Sequence, residues 1–338
     1  MVNLGIAGMG YIGRVHLEAC GKVPGVQVRA VAALEAEEIR NTFPGLQIYP
    51  SYQELFRGER LDAVIICIPT YLHEEATVEA AARGCHILCE KAMALDAGSA
   101  KRMVQAAQAH GRILMVAHIL RFWPQYARIK ELIDAGEIGS IRSVTAYRLA
   151  KYPPWSNWFR DPAKSGGCLL DLQIHDVDFI HWILGHPQSV YTVGIQVPTG
   201  SWDHVHTTLT YPHARASIEA SYLMPESWPF TTGIYVLGAE GALEYTFRVG
   251  ANIQEREQAS HFFRLYKSDG SVSEPTVSTE DMFVAQLRYF VRCVADHQPP
   301  RLCPPEEACQ VMQVMTASRQ SAECGQVVAL GDDHGCLA

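Results

Sequence analysis

The segment at residues 165–182, SGGCLLDLQIHDVDFIHW, combines an acid and an imidazole within an otherwise apolar stretch. Asp171 and His175 are four residues apart, a spacing that on one continuous helix places both side chains on the same face. A carboxylate beside an imidazole suits proton transfer, with the imidazole as the base and the carboxylate as the group that orients it. From these residues alone, a histidine hydrogen-bonded inside a protein core is an equally open alternative.

Two adjacent glycines, Gly166 and Gly167, precede this segment. Such a pair indicates either a tight turn or a place where another group, such as a cofactor, approaches bare backbone. Trp155 and Trp158 lie just upstream, and indole rings are suited to stacking on a sugar ring. We therefore expect both tryptophans to bind substrate, while ordinary packing explains them equally well.

A lysine follows an apolar run in the first third of the chain. Residues 85–89 have the pattern of a buried strand, and Glu90 and Lys91 come directly after them. Ligands bind at the carboxyl ends of parallel strands in open α/β sheets, so Lys91 is a candidate to exchange a proton with a substrate hydroxyl. A solvated lysine in a loop is the alternative.

Near the N-terminus, Gly8, Gly10 and Gly13 form a Gly-x-Gly-x-x-Gly pattern between an apolar run and a helical pattern. In this context the first glycine permits a tight turn, the second lets a pyrophosphate approach the backbone, and the third lets helix and strand pack closely. The phosphates then face the helix N-terminus, where Tyr11 and Ile12 lie. The pattern therefore predicts dinucleotide binding.

The type of dinucleotide depends on the residue about 20 positions later, at the end of the second strand, predicted at residues 26–32. An acid there bonds the ribose of NAD, and an arginine accommodates the 2′-phosphate of NADP. Ala33 occupies this position, with Glu35 two residues later and no arginine beside them in the sequence. We therefore predict NAD or NADP as the cofactor, NAD slightly preferred, with Glu35 as the ribose ligand.

A further apolar run, residues 61–68, resembles a central parallel strand. Its carboxyl end is then at the same edge of the sheet as the glycine pattern and Lys91. For the histidine that follows, a structural role at a helix start is the alternative to a role near the nicotinamide. At this edge we expect four further cofactor-binding residues: Pro69, Thr70, His73 and Glu90.

The arrangement of apolar residues predicts two domains, at 1–121 and 122–338. Up to residue 117, apolar runs alternate with helical patterns, which is typical of a parallel sheet covered by helices on both faces. Beyond it, six stretches alternate in strand fashion and are separated by turns. We expect an α/β first domain and an α+β second domain with a large, mostly antiparallel open sheet, covered or flanked by late helices at residues 280–295 and 305–322.

The composition narrows the classes of function. The 338 residues are 48% hydrophobic and carry a formal net charge of −8, which lacks the basic excess that nucleic acid binding requires. No apolar run has the length of a membrane span, and the ten cysteines contain no Cys-x-x-Cys pair. We expect a cytoplasmic protein with a small-molecule partner, no nucleic acid and no membrane. The open sheet face predicts a homodimer or homotetramer.

Metal binding finds little support in the sequence. His204 and His206 would share one face of a strand, but the sequence shows no third ligand. Cys85, His86 and Cys89 would point to different faces of a strand. We therefore expect no metal site.

Three of these motifs occur in order along the chain: the glycine pattern, the Glu-Lys pair, and the glycine pair with its acid and imidazole. Together they resemble the glucose-fructose oxidoreductase, inositol dehydrogenase and MocA family over nearly the whole chain, and residues 236–243, VLGAEGAL, are also similar. The resemblance implies a Rossmann domain followed by an open-sheet α+β domain. It also implies that Lys91, Asp171 and His175 surround the reacting carbon and the nicotinamide.

Two residues depart from the family pattern. Ala92 replaces the proline that usually follows the lysine, which removes the usual reason for a cis peptide bond there. Ala33 replaces the ribose-binding acid. Neither departure changes the class of enzyme that the resemblance implies: an NAD(P)-dependent dehydrogenase acting on a hydroxyl-bearing carbon of a polyol, inositol or sugar derivative. We place Arg121, at the end of the first domain, among its substrate-binding residues.

Hydride leaves such a carbon only as the hydroxyl proton is removed, so the site needs a base and a donor for the developing alkoxide. We expect His175 to be the base, Lys91 its partner, and Asp171 the group that orients or tunes them. Two alternatives stay open. One is an enzyme of glycosidase or epimerase type that keeps its cofactor bound, and the other is a binding protein that senses a dinucleotide and a ligand.

Overall fold

The computed structural model describes residues 1–153, 157–250 and 259–331. The chain forms two compact units. The first comprises Met1–Phe122 and Glu280–Met312, and the second comprises Trp123–Thr279 and Gln313–Ala338. Within the described ranges, no helix has the length and apolar character needed to cross a membrane.

A six-stranded parallel sheet forms the centre of the first unit. The sequence predicts a parallel sheet here with five of the strands, and the short third strand is additional. The middle strand of the sheet is buried at every position except the half-buried Asn3 and pairs with neighbours on both sides. The strand order β3-β2-β1-β4-β5-β6 reverses direction at the middle strand, and in open α/β sheets this point opens a ligand crevice at the carboxyl ends. The strands are β1 (Val2–Ala7), β2 (Val26–Ala32), β3 (Gln47–Tyr49), β4 (Ala63–Ile66), β5 (His86–Cys89) and β6 (Leu114–Val116).

The five helices that connect these strands follow the predicted alternation, with two short ones that the sequence pattern did not reveal. Those two, around β3, are only seven residues each, which is shorter than the window of about 11–18 residues over which helical periodicity is recognised. The helices are α1 (Tyr11–Cys20), α2 (Ala36–Thr42), α3 (Tyr52–Gly58), α4 (His73–Ala82) and α5 (Ala97–Ala109).

The second unit contains a nine-stranded sheet, in the order β14-β13-β12-β11-β7-β10-β9-β8-β15. Its strand pairs are antiparallel except for β7 with β10, which confirms the predicted mostly antiparallel sheet. The strands are β7 (Ile141–Leu149), β8 (Ser189–Gln196), β9 (Trp202–Thr210), β10 (Arg215–Ser221), β11 (Phe230–Gly238), β12 (Gly241–Val249), β13 (Ser260–Lys267), β14 (Val272–Ser273) and β15 (Val328–Ala329).

The two faces of this sheet differ in burial. On β9 the side chains of Val205, Thr207 and Leu209 are buried, while His204 and His206 point to the opposite face. Large apolar side chains on that opposite face are exposed, and we call it the outward face. They are Tyr191, Val193, Ile195, Tyr235 and Leu237.

Four helices of the second unit lie between β6 and β8 in the chain. The last of them packs on the buried face of the sheet, against β7 and β10. The helices are α6 (Pro124–Asp134), α7 (Pro162–Ser165), α8 (Gly167–Asp171) and α9 (Ile174–Leu184).

The sequence predicted that both late helices cover or flank the second sheet, and for the first of them this was wrong. Helix α10 (Met282–Asp296) packs on α1 and β1 of the first unit, where Phe283 contacts the His16 ring edge-on. This helix has a strongly one-sided apolar face that includes Phe290, and such a face can pack on helices as well as on a sheet. The sequence pattern therefore did not indicate which unit the helix packs on. Helix α11 (Pro305–Cys324) begins in the first unit and ends in the second.

Candidate active site

The glycine pattern forms the turn between β1 and α1, and its three glycines serve different purposes. Gly8 has a φ of +103°, and a Cβ there would lie 2.6 Å from the Cys67 carbonyl oxygen. A Cβ on Gly13 would collide with the Gly8 carbonyl oxygen. At Gly10, by contrast, a Cβ would meet no described atom within 4 Å. The turn is thus closed by packing at two glycines and open at the third, as a pyrophosphate cradle requires.

Tyr11 and Ile12 are the first residues of α1, and both are half-buried. Because the N-terminus of a helix presents free N–H groups, this position suits an anionic ligand. The structure therefore places both residues beside the open glycine, at the end of the helix that would face phosphates.

The loop after β2 contains an arginine contact that the sequence did not reveal. Glu35 is exposed at the start of α2. One helical turn later Glu38 pairs with Arg14 of α1, with Nη2 and Oε1 2.5 Å apart, and Arg14 also donates to the Met9 carbonyl. The two partners are 24 residues apart in the sequence, so no local pattern predicts their contact.

His73 has a structural position rather than one open to a ligand. Its side chain is 1% exposed, and its ring nitrogens lie 2.8 Å from the Ile68 carbonyl oxygen and 2.9 Å from that of Ala92. Burial lowers the pKa of His73, and the two carbonyl acceptors oppose this effect in part. The ring therefore ties the segment after β4 to the segment after β5. Nearby, Thr70 is buried and Pro69 is half-buried.

Glu90 and Lys91 directly follow β5, as predicted. Glu90 is 8% exposed, and its carboxylate accepts hydrogen bonds from the buried His16 ring at 2.8 Å and from the Lys91 backbone N–H at 3.2 Å. The Lys91 side chain is half-buried. Glu90 is therefore a fixed support beneath this segment, and Lys91 is the residue whose side chain is placed at the strand end.

The peptide bond between Lys91 and Ala92 is cis, so the expectation drawn from the missing proline was wrong. Both sides of the bond have buried partners, because Glu90 accepts from the Lys91 N–H and the Ala92 carbonyl faces the His73 ring. Of these two partners, Glu90 is the neighbouring residue and His73 is 19 residues away, and the residue following the lysine reveals neither contact.

Arg121 is held within the first unit. It is 2% exposed, and Nη1 donates to the Leu302 carbonyl at 2.8 Å and to Glu307 at 2.6 Å. These contacts join the end of the unit's first segment to α11. These contacts give Arg121 a structural role, and its contact with a substrate stays a prediction.

In the second unit, Asp171 and His175 do not lie on one continuous helix. Helix α8 ends at Asp171 and α9 begins at Ile174, with Leu172 and Gln173 forming the turn between them. The backbone N–H groups of both turn residues donate to the Cys168 carbonyl, four and five residues back. The second bond is wider than an α-helical turn, and the first helix ends there. The spacing rule fails here because it assumes unbroken helical geometry. Asp171 is 5% exposed, whereas His175 is half-buried in the first turn of α9.

The glycine pair supports the tight-turn alternative. Gly166 and Gly167 have φ values of +75° and +70°, which glycine adopts without strain. A Cβ on Gly167 would collide with Ser201 Oγ and lie 3.3 Å from Asp203 Oδ1. The groups that approach this backbone are thus the protein's own Ser201 and Asp203 side chains.

Two tyrosine–carboxylate pairs, one buried and one part-buried, surround this turn. The Tyr222 hydroxyl donates to Asp171, and the Tyr152 hydroxyl donates to Asp203. The two rings stack with centroids 5.3 Å apart. Burial raises the pKa of Tyr222 well above its ordinary value, and the charge of Asp171 adds to this effect, so its hydroxyl remains a proton donor.

The second carboxylate of this network has further donors. Asp203 accepts from Ser201 Oγ at 2.7 Å and from the Cys168 backbone N–H at 3.2 Å. Burial raises the pKa of Asp203. The Arg160 guanidinium lies 4.3 Å from the centre of the Tyr152 ring, in cation–π geometry. Sequence reasoning missed Tyr152, Arg160, Asp203 and Tyr222 because they come from four separate segments of the chain, and no spacing links them.

A buried ion pair fixes the helix that follows Asp171 in the chain. Asp176 of α9 and Arg148 of β7 form two hydrogen bonds of 2.9 Å, and their side chains are 0% and 3% exposed. This contact holds the first turn of α9, which includes His175, on the sheet. Such a pair is costly to break, because either partner alone would be a buried charge.

The predicted tryptophans are only partly described. Trp158 is half-buried and stacks on Phe159, with ring centroids 4.0 Å apart. Trp155 lies outside the described residues. The contact of Trp158 is one of ordinary packing, and its role toward a substrate remains a prediction.

Comparison with known proteins places the chain among oxidoreductases. Residues 2–118 match the oxidoreductase family with an NAD-binding Rossmann fold, GFO/IDH/MocA, and residues 126–244 match the GFO/IDH/MocA C-terminal domain. The chain is 29% identical to D-xylose 1-dehydrogenase (NADP(+)) 2 of Haloferax volcanii over 95% of this chain and 99% of the relative. It is 26% identical to the uncharacterized oxidoreductase YrbE of Bacillus subtilis over 96% of each.

Solved structures show the same fold. The aldose-aldose oxidoreductase of Caulobacter crescentus aligns with a TM-score of 0.84 at 22% identity, over 97% of this chain and 99% of the other. The two family matches together span most of the chain and coincide with a parallel six-stranded sheet and a mostly antiparallel sheet. The protein therefore belongs to the GFO/IDH/MocA family of NAD-binding oxidoreductases.

Proposed function

We propose that this protein is an NAD(P)-dependent dehydrogenase that uses His175, Asp171 and Lys91 to oxidise a hydroxyl-bearing carbon of a polyol, inositol or sugar derivative. The observation that carries the proposal is the buried Asp171 carboxylate, which accepts the Tyr222 hydroxyl at the turn that leads directly to His175. The xylose dehydrogenase relative supports a sugar as the class of substrate.

The residues of the first unit fit a dinucleotide. The open position at Gly10 leaves room for a pyrophosphate, and the N-terminus of α1 directs backbone N–H groups toward it. When bound, the nicotinamide supplies the hydride acceptor. The chain supplies binding at this turn and the groups at the strand ends, among them Lys91.

The residues of the second unit supply the proton chemistry. The His175 imidazole takes the hydroxyl proton as the carbon–hydrogen bond breaks, since removal of that proton is what lets the carbinol become a carbonyl. Asp171, fixed by Tyr222, orients the base. The Lys91 ammonium donates to the developing alkoxide. Support for Lys91 comes from the family resemblance and from its place directly after β5.

We also propose a slight preference for NAD. Glu35 is exposed at the start of α2, where a carboxylate could accept from a ribose hydroxyl. The nearby cation, Arg14, is already paired with Glu38, which leaves it less able to bind a 2′-phosphate. If NADPH bound tenfold more tightly than NADH, a difference of about 1.4 kcal/mol, this interpretation of the loop would be wrong.

A homodimer or homotetramer is proposed through the outward face of the second sheet. Five large apolar side chains on this face are 38–54% exposed, and such patches in soluble proteins mark interaction sites. A face-to-face pairing of copies would bury them with closed symmetry. Light scattering at micromolar concentration tests the assembly, and a mass equal to the 37.5 kDa chain would refute it.

A panel of polyols and sugars, offered with each cofactor, tests the activity. Reduced nicotinamide is measured by its absorbance, first with the wild-type protein and then with His175→Ala and Lys91→Ala. The proposal expects oxidation of at least one compound, with both variants impaired and cofactor affinity within a few fold of wild type. Tightly bound cofactor without net release of reduced nicotinamide would favour the enzyme of glycosidase or epimerase type.

A further inference from the structure

Three potential metal ligands meet on the outward face of the second sheet. His204 and His206 are both on β9, and their Nε2 atoms are 3.1 Å apart. The antiparallel pairing of β9 with β10 sets Glu219 directly opposite His206. A Glu219 oxygen lies 4.0 Å from His204 Nε2, and one ligand atom from each residue lies within 4.8 Å of the other two.

The sequence argument against a metal here was the missing third ligand. The pairing register of β9 and β10 supplies it, because Glu219 and His206 are 13 residues apart in the chain but adjacent across the strands. No local sequence pattern records which residues of two strands face each other. The reason for expecting no metal site at these histidines, the lack of a third ligand, therefore does not hold.

The distance between the two imidazoles matches that of two ligands on one ion. Zn²⁺ binds histidine nitrogens at about 2.0–2.1 Å, and two such nitrogens subtending 90–110° at the ion lie about 2.9–3.4 Å apart. The observed 3.1 Å is within this range. The carboxylate oxygen must move about 0.6 Å closer to His204 to complete a tetrahedral angle, and the Glu219 side chain is 38% exposed, which leaves it free to do so.

The surroundings of the cluster also favour a cation. The residues paired with His204 and His206 on β8 are Ile195 and Val193, and the residue paired with Glu219 on β7 is Tyr147. At these described positions no lysine or arginine competes for the carboxylate. Apolar residues therefore flank the two histidines on one side and the carboxylate lies on the other, at the surface of the sheet.

We propose that His204, His206 and Glu219 bind one divalent first-row transition ion of the Zn²⁺ type. Two nitrogens and one carboxylate oxygen suit this class better than Ca²⁺ or Mg²⁺, which prefer all-oxygen ligands. Three protein ligands leave the fourth position of a tetrahedral ion to water. The site is independent of the proposed dehydrogenase function, since none of the three residues takes part in it.

Titration of the metal-free, full-length protein with Zn²⁺ tests the proposal, with Co²⁺ as a spectroscopic substitute whose visible absorption reports its coordination. We expect one ion per chain in the wild type. His206→Ala and His204→Gln should each weaken binding by at least about 100-fold, since even outer partners of a metal site contribute 10- to 100-fold. Glu219→Gln should weaken binding and alter the Co²⁺ spectrum.

The matched control is His213→Ala, because His213 is an exposed histidine in the turn between β9 and β10. This variant should bind Zn²⁺ as the wild type does, and thermal unfolding should show that all four variants are folded. The proposal is overturned if the wild type binds no Zn²⁺ at micromolar concentration. Equal loss of binding in the control and in His206→Ala, or unchanged binding in Glu219→Gln, overturns it as well.

Discussion

Replacement of Tyr222 by phenylalanine removes one hydroxyl and tests whether the buried Asp171 carboxylate serves catalysis. Tyr222 is 4% exposed and donates to Asp171. The phenyl ring of the variant keeps the stacking on Tyr152. The change therefore isolates the loss of one donor to a buried carboxylate, while the surrounding packing stays the same.

The expected size of the effect follows from that single contact. A hydrogen bond to a charged group contributes about 1.5–3 kcal/mol, and each 1.36 kcal/mol corresponds to a factor of ten in rate. If Asp171 orients His175 in the transition state, Tyr222→Phe should lower kcat/KM by about 10- to 150-fold. Steady-state formation of reduced nicotinamide with an active sugar or polyol measures this, and cofactor affinity should stay unchanged.

Tyr211→Phe is the matched control. Tyr211 is 3% exposed in the same unit, and its hydroxyl makes no hydrogen bond to any described residue. Its variant should keep kcat/KM within about twofold, since no hydrogen bond is lost. If Tyr222→Phe also keeps its activity at this level but unfolds at lower urea concentration, the pair with Asp171 is structural and the proposed role of Asp171 is wrong.

Three further predictions test the first unit. Gly10→Ala should leave the free energy of unfolding nearly unchanged but raise the Kd for dinucleotide at least tenfold, whereas Gly13→Ala should destabilise the fold because its Cβ collides with backbone. Calorimetric titration measures the first effect and urea unfolding the second. Tight cofactor binding by Gly10→Ala would contradict the proposed pyrophosphate site at this turn. Glu38→Gln should release Arg14 and raise the affinity for NADPH relative to NADH, with Glu37→Gln as the exposed control on the same helix; equal cofactor ratios in both variants would count against it. Because burial lowers the pKa of His73 below its ordinary 6.5, the folded protein takes up this proton less readily than the unfolded chain, so stability is full above about pH 6.5 and decreases as pH falls below it. The difference between the urea midpoints at pH 7.5 and pH 5.5 should therefore be smaller in His73→Gln than in the wild type. The same difference in both proteins would refute this prediction.

Much of the first unit could be predicted because its signals are local. The strand at Val2–Ala7 is an apolar run, and the glycine pattern after it has a direct steric reason at Gly8 and at Gly13. The predicted strand ends at Ala32 and Cys89 agree with the structure. Periodicity and turn chemistry are read from neighbouring residues, and these elements depend on little else.

The candidate site could be predicted only in part, because its contacts are not local. The carboxylate at Asp171 was evident, but its donor Tyr222 is 51 residues away. The helix break at Leu172 has no glycine or proline to mark it. The proposed metal-ligand cluster likewise depends on the register of two strands, because only their pairing places Glu219 opposite His206. Sequence patterns record which residues share an element, and the fold decides which elements meet.

The transfer of deuterium to the cofactor is the most direct test of the central claim. Sugars and polyols carrying deuterium on their hydroxyl-bearing carbons are incubated with the purified protein and NAD or NADP, and the reduced cofactor is analysed by mass spectrometry. We predict one deuterium in the nicotinamide ring for at least one compound, with transfer slowed at least about 100-fold in His175→Ala, the lower end of what a positioned acid–base group contributes. Reduced cofactor without deuterium, or transfer by His175→Ala at the wild-type rate, would contradict the account.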